Sequence, residues 1–244
     1  MNFEDFESSA FSPERSYPEI SGFDEHSDLS DNDVEAVIQL LPVSHIEHCP
    51  SISCLPESPL WKDYPSAFGL YDTVTSEIFL SGAEGVLEAG TTELEILLHE
   101  IGHGAYDSIL AENPQLAADW VDLYEASQIT FAQTGFGFVS SYSHKDMFED
   151  FAESYAGYIA NPQLMQFLCP DKYNFMRDNV FNSREYDAVQ TLDGSYLLSF
   201  KDTADLINHA DLNASAEGLD GIHSWEDFPP ITDAFRCFDI TVCS

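Results

Sequence analysis

The sequence predicts an α+β domain in which a small sheet packs on helices. Three observations carry that expectation. Apolar residues recur at helical spacing through residues 91–106, 113–127 and 145–160. Two short apolar runs, Phe68–Asp72 and Glu77–Leu80, flank a turn at Thr73–Ser76 as the strands of a hairpin do. The chain has 244 residues of which 44% are hydrophobic, enough for one sizeable core.

Taken in order, residues 1–30 are rich in Ser, Glu, Asp and Phe without sustained periodicity, and read as a disordered acidic segment, with an inhibitory pro-segment as the alternative. Asp31-Asn32-Asp33 caps a short helix from Val34 to Leu41, which Pro42 ends. His45 to Leu55 alternates loosely as a strand, and its His45 and His48 read as structural or solvated. Pro56 to Pro65 is a proline-broken loop, followed by the hairpin and by a loop from Gly82 to Gly90. A helix starts at Asn113-Pro114 and runs to about Ser127, with Leu116, Trp120, Leu123 and Tyr124 on its core face. Further helices follow Lys145 and Asn161-Pro162, and another spans Tyr173 to Phe181. Tyr186 to Phe200 reads as strands around Asp193-Gly194, and Asp202 to His209 as a helix. The expected organisation is a segment over 1–30, a domain over 31–200 and a C-terminal extension over 201–244.

Chemistry concentrates first on the helix over residues 91–106. Thr91 or Thr92 can cap it, and glutamates fill its first turn, where the helix dipole favours negative charge. Leu94, Leu97, Leu98, Ile101 and Ala105 would face the core. His99 and His103 lie four apart, so both imidazoles project from one face, as two nitrogen ligands of a tetrahedral Zn²⁺ must. Glu100 flanks that face, where it can take a proton from an activated water as general base. The pattern is His-Glu-x-x-His, the zincin signature of metalloproteases. The competing reading is two ordinary helix-surface histidines. Against it stand the strong helical pattern and the cost of Gly102 and Gly104, about 1 kcal/mol each relative to Ala, which demands a reason such as close backbone approach.

The second concentration is Ser141 to Tyr158. Glu149 and Glu153, four apart, stack on one helix face. Such a pair can serve one metal, one carboxylate as ligand and the other accepting the remaining N–H of a metal-bound histidine. Spacing alone does not assign which does which.

Composition bounds the partners. Forty-four acidic residues against eight Lys plus Arg give a formal net charge of −36. Phosphate backbones are repelled, so nucleic acid is not expected as a partner. The acidity fits a salt-adapted surface, a soluble secreted protein or a field that selects cationic substrates. No apolar stretch is long enough for a membrane span, and Met1 to Glu7 lacks the basic and apolar regions of a signal peptide. The cysteines Cys49, Cys54, Cys169, Cys237 and Cys243 leave both small disulfide loops (Cys49–Cys54, Cys237–Cys243) and free thiols open.

Together, the segment His99 to Ala105, the pair Ser141-Tyr142 and the run Glu149-Asp150-Phe151-Ala152-Glu153 resemble the anthrax-lethal-factor-like zinc metallopeptidases, which include the Pro-Pro endopeptidases. The resemblance covers roughly residues 31–183. It implies a zincin-like fold, a secreted protein and a zinc endopeptidase acting on peptide or protein substrates. It implies His99, His103 and Glu149 as zinc ligands, Glu100 as general base, Tyr142 as stabiliser of the oxyanion and Glu153 as the support of His99. The rival is a zincin-like binding or toxin-delivery module with weak or no catalysis, which would have no need of Glu100 or Tyr142.

Overall fold

The computed structural model describes residues 17–86, 91–190 and 196–201. Expectations for 202–244, including the helix from Asp202 and the cysteine pair Cys237 and Cys243, lie outside the described residues.

Residues 1–16 of the segment expected to be disordered lie outside the described residues, and the rest of it is in part regular. Strand β1 (Glu19–Ser21) and the short helix α1 (Phe23–His26) occupy part of the segment expected to be disordered. The apolar residues in that acidic stretch are too few for a periodic signal, but two of them find partners. Phe23 is fully buried, and Ile20 packs against the same core. Helix α2 (Asp31–Leu40) starts from Ser30, whose side chain and that of Asp33 form a reciprocal capping box. A 3₁₀ turn at Val43–His45 follows, so His45 is not on a strand. Strand β2 is only Ser51–Cys54. The hairpin forms as β3 (Gly69–Tyr71) and β4 (Ile78–Leu80), antiparallel, with Leu70 opposite Phe79.

The sheet order is β1-β2-β4-β3, with β1–β2 and β2–β4 parallel. Those parallel pairings join segments far apart in sequence. Among the described residues β3 pairs with β4 alone, which makes it an edge. Phe68 O accepts from Ser81 and Asp72 N donates to Glu77, so even-numbered positions bond inward to β4. Gly69 and Tyr71 therefore turn their main-chain groups to the outer edge.

Helix α3 (Glu93–Ala105) lies under this sheet. Thr92 caps it in a box with Glu95, and Asn161 donates to Glu95 Oε1 at 3.0 Å. After a π-helical turn at Tyr106–Ala111, helix α4 (Pro114–Thr134) runs well beyond Ser127 and ends at Gly135 in the left-handed conformation. Helix α5 (Met147–Ala160) is buried along most of its length. Helices α6 (Pro162–Leu168) and α7 (Pro170–Phe175) follow, the latter continuing into a π-helical turn at Met176–Val180. Strands β5 (Tyr186–Gln190) and β6 (Tyr196–Phe200) form a separate antiparallel pair. The architecture is α+β.

The core gathers α3 and α5 face to face. Gly102 is the reason they can approach. A Cβ there would stand 2.9 Å from Ala152 Cα and 3.0 Å from Tyr155 Cβ, closer than packed carbons tolerate. At Gly104 the neighbour is a ring, with Tyr71 Cε2 3.3 Å from such a Cβ. Behind α5, Lys172 is buried and donates to Asp150 Oδ1 at 2.7 Å and Gly137 O at 2.9 Å, its ammonium 4.0 Å from the centre of the Phe138 ring. Cys49, Cys54 and Cys169 are free thiols, so the Cys49–Cys54 loop is not closed by a disulfide. Among the described residues no helix is long and apolar enough to cross a membrane.

Candidate metal centre

Helix α3 delivers His99 and His103, and α5 delivers Glu149, to one point. His99 Nε2 is 3.2 Å and His103 Nε2 3.3 Å from Glu149 Oε2, and the two Nε2 atoms are 3.1 Å apart. Ligand atoms of a tetrahedral Zn²⁺ at bond lengths of about 2.0–2.1 Å lie about 3.3 Å from one another. The triangle has the dimensions of one face of such a tetrahedron.

Its electrostatics also call for a cation. Glu153 Oε1 sits 2.7 Å from His99 Nδ1, which must donate to it. In the neutral ring, the form a metal binds, that bond leaves the Nε2 lone pair of His99 pointing at His103 and Glu149. Glu149 Oε2 is buried and faces only the two imidazole Nε2 atoms. Burial opposes a positive charge on His99, but the carboxylates of Glu149 and Glu153 outweigh it and hold its pKa well above the ordinary value. Burial likewise opposes charge on Glu149, and His103 and His99 overcome it and hold that carboxyl well below the usual range. The three donors thus fit a metal ion, with Glu153 orienting one of them from behind.

Glu100 is 4% exposed and lines the same cavity. Burial raises its pKa, His99 and His103 counteract that, and the Tyr71 main-chain amide on the edge of β3 also favours the charged form. The site for Glu100 exists because Gly69 has no side chain: a Cβ there would fall 2.5 Å from Glu100 Oε1. The cavity measures about 350 Å³ and is walled by Leu70, Tyr71, Tyr106 and Phe148, with Asp107 and Asp146 beside them.

Tyr142 stands on a 3₁₀ turn, Tyr142–His144, between α4 and α5. Tyr124 donates to His144 O at 3.1 Å and the Ser143 amide donates to Ser140 Oγ at 3.1 Å, so both sides of the turn are pinned. The Tyr142 hydroxyl donates to Glu149 Oε1 at 3.2 Å. Its ring centre lies 6.0 Å from that of His99.

All six residues singled out in the sequence (His99, Glu100, His103, Tyr142, Glu149 and Glu153) therefore meet around one point. His45 does not join them. It is buried elsewhere, between the Tyr155 hydroxyl at 2.8 Å and Val180 O at 3.0 Å. His48 is exposed. The sequence reading missed Lys145, whose Nζ is 2.9 Å from the Tyr142 hydroxyl and 3.0 Å from Glu149 Oε1. Its signal was present as a lysine four residues before a glutamate that opens a helix. Comparison with known protein families, with curated proteins and with solved structures finds no match to this chain.

Proposed function

We propose that this protein is a zinc-dependent endopeptidase of zincin-like fold, as its resemblance to the anthrax-lethal-factor-like metallopeptidases implies. The observation that carries the reading is the convergence of His99, His103 and Glu149 within 3.1–3.3 Å of one another, at a cavity lined by His103, Glu149 and Glu100. Two nitrogens and one carboxylate oxygen are the donor set of peptide-cleaving zinc sites, with one position open. A zinc ion in this site supplies an electrophile that polarises a carbonyl and acidifies water.

The chain's own residues supply the rest. The outward main-chain groups of β3 other than the Tyr71 amide, which Glu100 engages, offer an edge to which an extended peptide adds. Glu100 takes the proton of the attacking water, and burial keeps it basic enough to do so. It then returns that proton to the leaving amine. The Tyr142 hydroxyl leaves Glu149 Oε1 and donates to the oxyanion that develops on the former carbonyl. Glu153 keeps the His99 ring in one tautomer throughout. The aromatic walls of the cavity exclude water and receive a substrate side chain.

The test uses the full chain, purified without added metal. Wild type is expected to carry zinc and to cleave members of a peptide library. Glu100→Gln is expected to carry the same zinc and cleave none. Absence of metal, or equal cleavage by both proteins, overturns the reading.

A further inference from the structure

The chain has only eight Lys and Arg residues, and one of them stands inside the metal cavity. Lys145 precedes α5, four residues before Glu149, and its side chain is 23% exposed. Its ammonium reaches the Tyr142 hydroxyl at 2.9 Å and Glu149 Oε1 at 3.0 Å. It also lies 4.9 Å from the centre of the Tyr142 ring. An exposed ion pair at this helical spacing contributes little. This one is partly withdrawn from water, bonds two groups at once, and one of those groups is a metal-ligand candidate.

The two oxygens of Glu149 are treated differently. Oε1 receives the Lys145 ammonium and the Tyr142 hydroxyl, while Oε2 faces the two histidines. A carboxylate with both oxygens at liberty can grip a metal with both, which fills the position that water and substrate need. Two donors on one oxygen oppose that turn. They are not equivalent over a catalytic cycle, because the hydroxyl must leave Glu149 to reach an oxyanion. The ammonium has no such duty and stays.

We infer that Lys145 is a positioning residue that holds Glu149 to a metal through Oε2 alone and keeps it so when Tyr142 turns to the substrate. This rests on the metal centre proposed above. The lysine contributes a second effect through the same bonds. Its charge draws electron density from Glu149, leaving a bound metal more electrophilic, and it keeps the Tyr142 oxygen beside the site while the proton is given away.

The experiment loads the full chain with Co²⁺ and reads the visible absorption, which is more intense for four-coordinate than for five-coordinate cobalt. Lys145→Met, of similar length without donors, should give weaker bands and Co²⁺ affinity lower by roughly 10–100-fold, the usual effect of removing a group that orients a ligand. Lys145→Arg, which keeps the charge and the donors, should restore the wild-type spectrum. Tyr142→Phe should leave the spectrum unchanged, since Lys145 still holds Oε1. Circular dichroism melts report folding. If Lys145→Met folds poorly, Lys145→Leu, also without donors, is read in its place and must show the weakened bands. A Met or Leu variant with wild-type spectrum and affinity overturns the inference while the metal centre stands. Wild type that takes up no Co²⁺ overturns the metal centre itself, and the inference with it.

Discussion

Replacing Gly102 by alanine tests how closely the site depends on helix approach. The substitution adds one methyl group where α3 meets α5. Its Cβ would lie 2.9 Å from Ala152 Cα and 3.2 Å from Ala152 O, against main chain that cannot rotate away. Restoring ordinary contact requires the helices to part by about half an ångström or more. Overpacking of this kind costs about 1–3 kcal/mol. The better helix propensity of Ala returns about 1 kcal/mol. The net loss is therefore up to about 2 kcal/mol, or up to roughly 8 °C in Tm. The metal should register the change more sharply. His99 and His103 ride on one helix and Glu149 on the other, and metal sites tolerate about ±0.2 Å in ligand distances. We expect zinc affinity to fall about 10–100-fold by competition with a chromogenic chelator. Gly104→Ala is the control, because its Cβ meets only the Tyr71 ring, at 3.3 Å. It should stay within about 1 kcal/mol of wild type and keep its zinc affinity. A Gly102→Ala protein with wild-type melting and metal affinity would refute the argument that glycine sets the spacing of the two ligand helices.

Glu149→Ala should abolish stoichiometric zinc, whereas Glu153→Ala should weaken it about 10–100-fold; the reverse order, read by metal analysis after dialysis, would exchange their roles. Tyr142→Phe should lower kcat by roughly 10²–10³-fold with little change in KM, and near-normal turnover on a good substrate would remove the hydroxyl from the mechanism. Asp107 and Asp146 beside the cavity, within a chain of net charge −36, should favour peptides flanked by Lys or Arg. Their kcat/KM should fall as the Debye length shrinks from about 30 Å at 0.01 M salt to about 8 Å at 0.15 M, with a neutral analogue unaffected; a joint rise of both would tie the acidity to stability in salt instead. His45 carries a pH dependence of the fold. Burial pushes its pKa down to about 4 from an ordinary 6.5, so the unfolded chain binds a proton that the folded one refuses. The cost is absent above pH 6.5, grows as pH falls, and is complete below about 4, reaching about 3 kcal/mol. The difference in denaturant stability between wild type and His45→Gln should narrow across that window, and a constant difference would count against it.

Local pattern was enough to write down α3 and its cap, the His99–His103 face, the Glu149–Glu153 face and the β3–β4 hairpin. Each depends on residues within a few positions of one another, where helical and strand periods dictate direction. The same pattern did not reach beyond single elements. It missed β1 and the buried Phe23, because what organises them is parallel pairing with β2 and a core built from distant residues. It made α4 too short, since the half-exposed continuation after Ser127 carries little apolar signal and its end is decided by Gly135. At the site, spacing put two glutamates on one face without saying which oxygen would meet the histidines. That depends on the rotation of α5 about its axis and its distance from α3, both set where Gly102 lies on Ala152. Lys145 stood four residues from Glu149 in plain view, but only the turn that folds Tyr142 back over α5 makes it a partner of both. Sequence determines which way side chains point along an element; packing decides which elements those side chains face, and chemistry at a metal needs both.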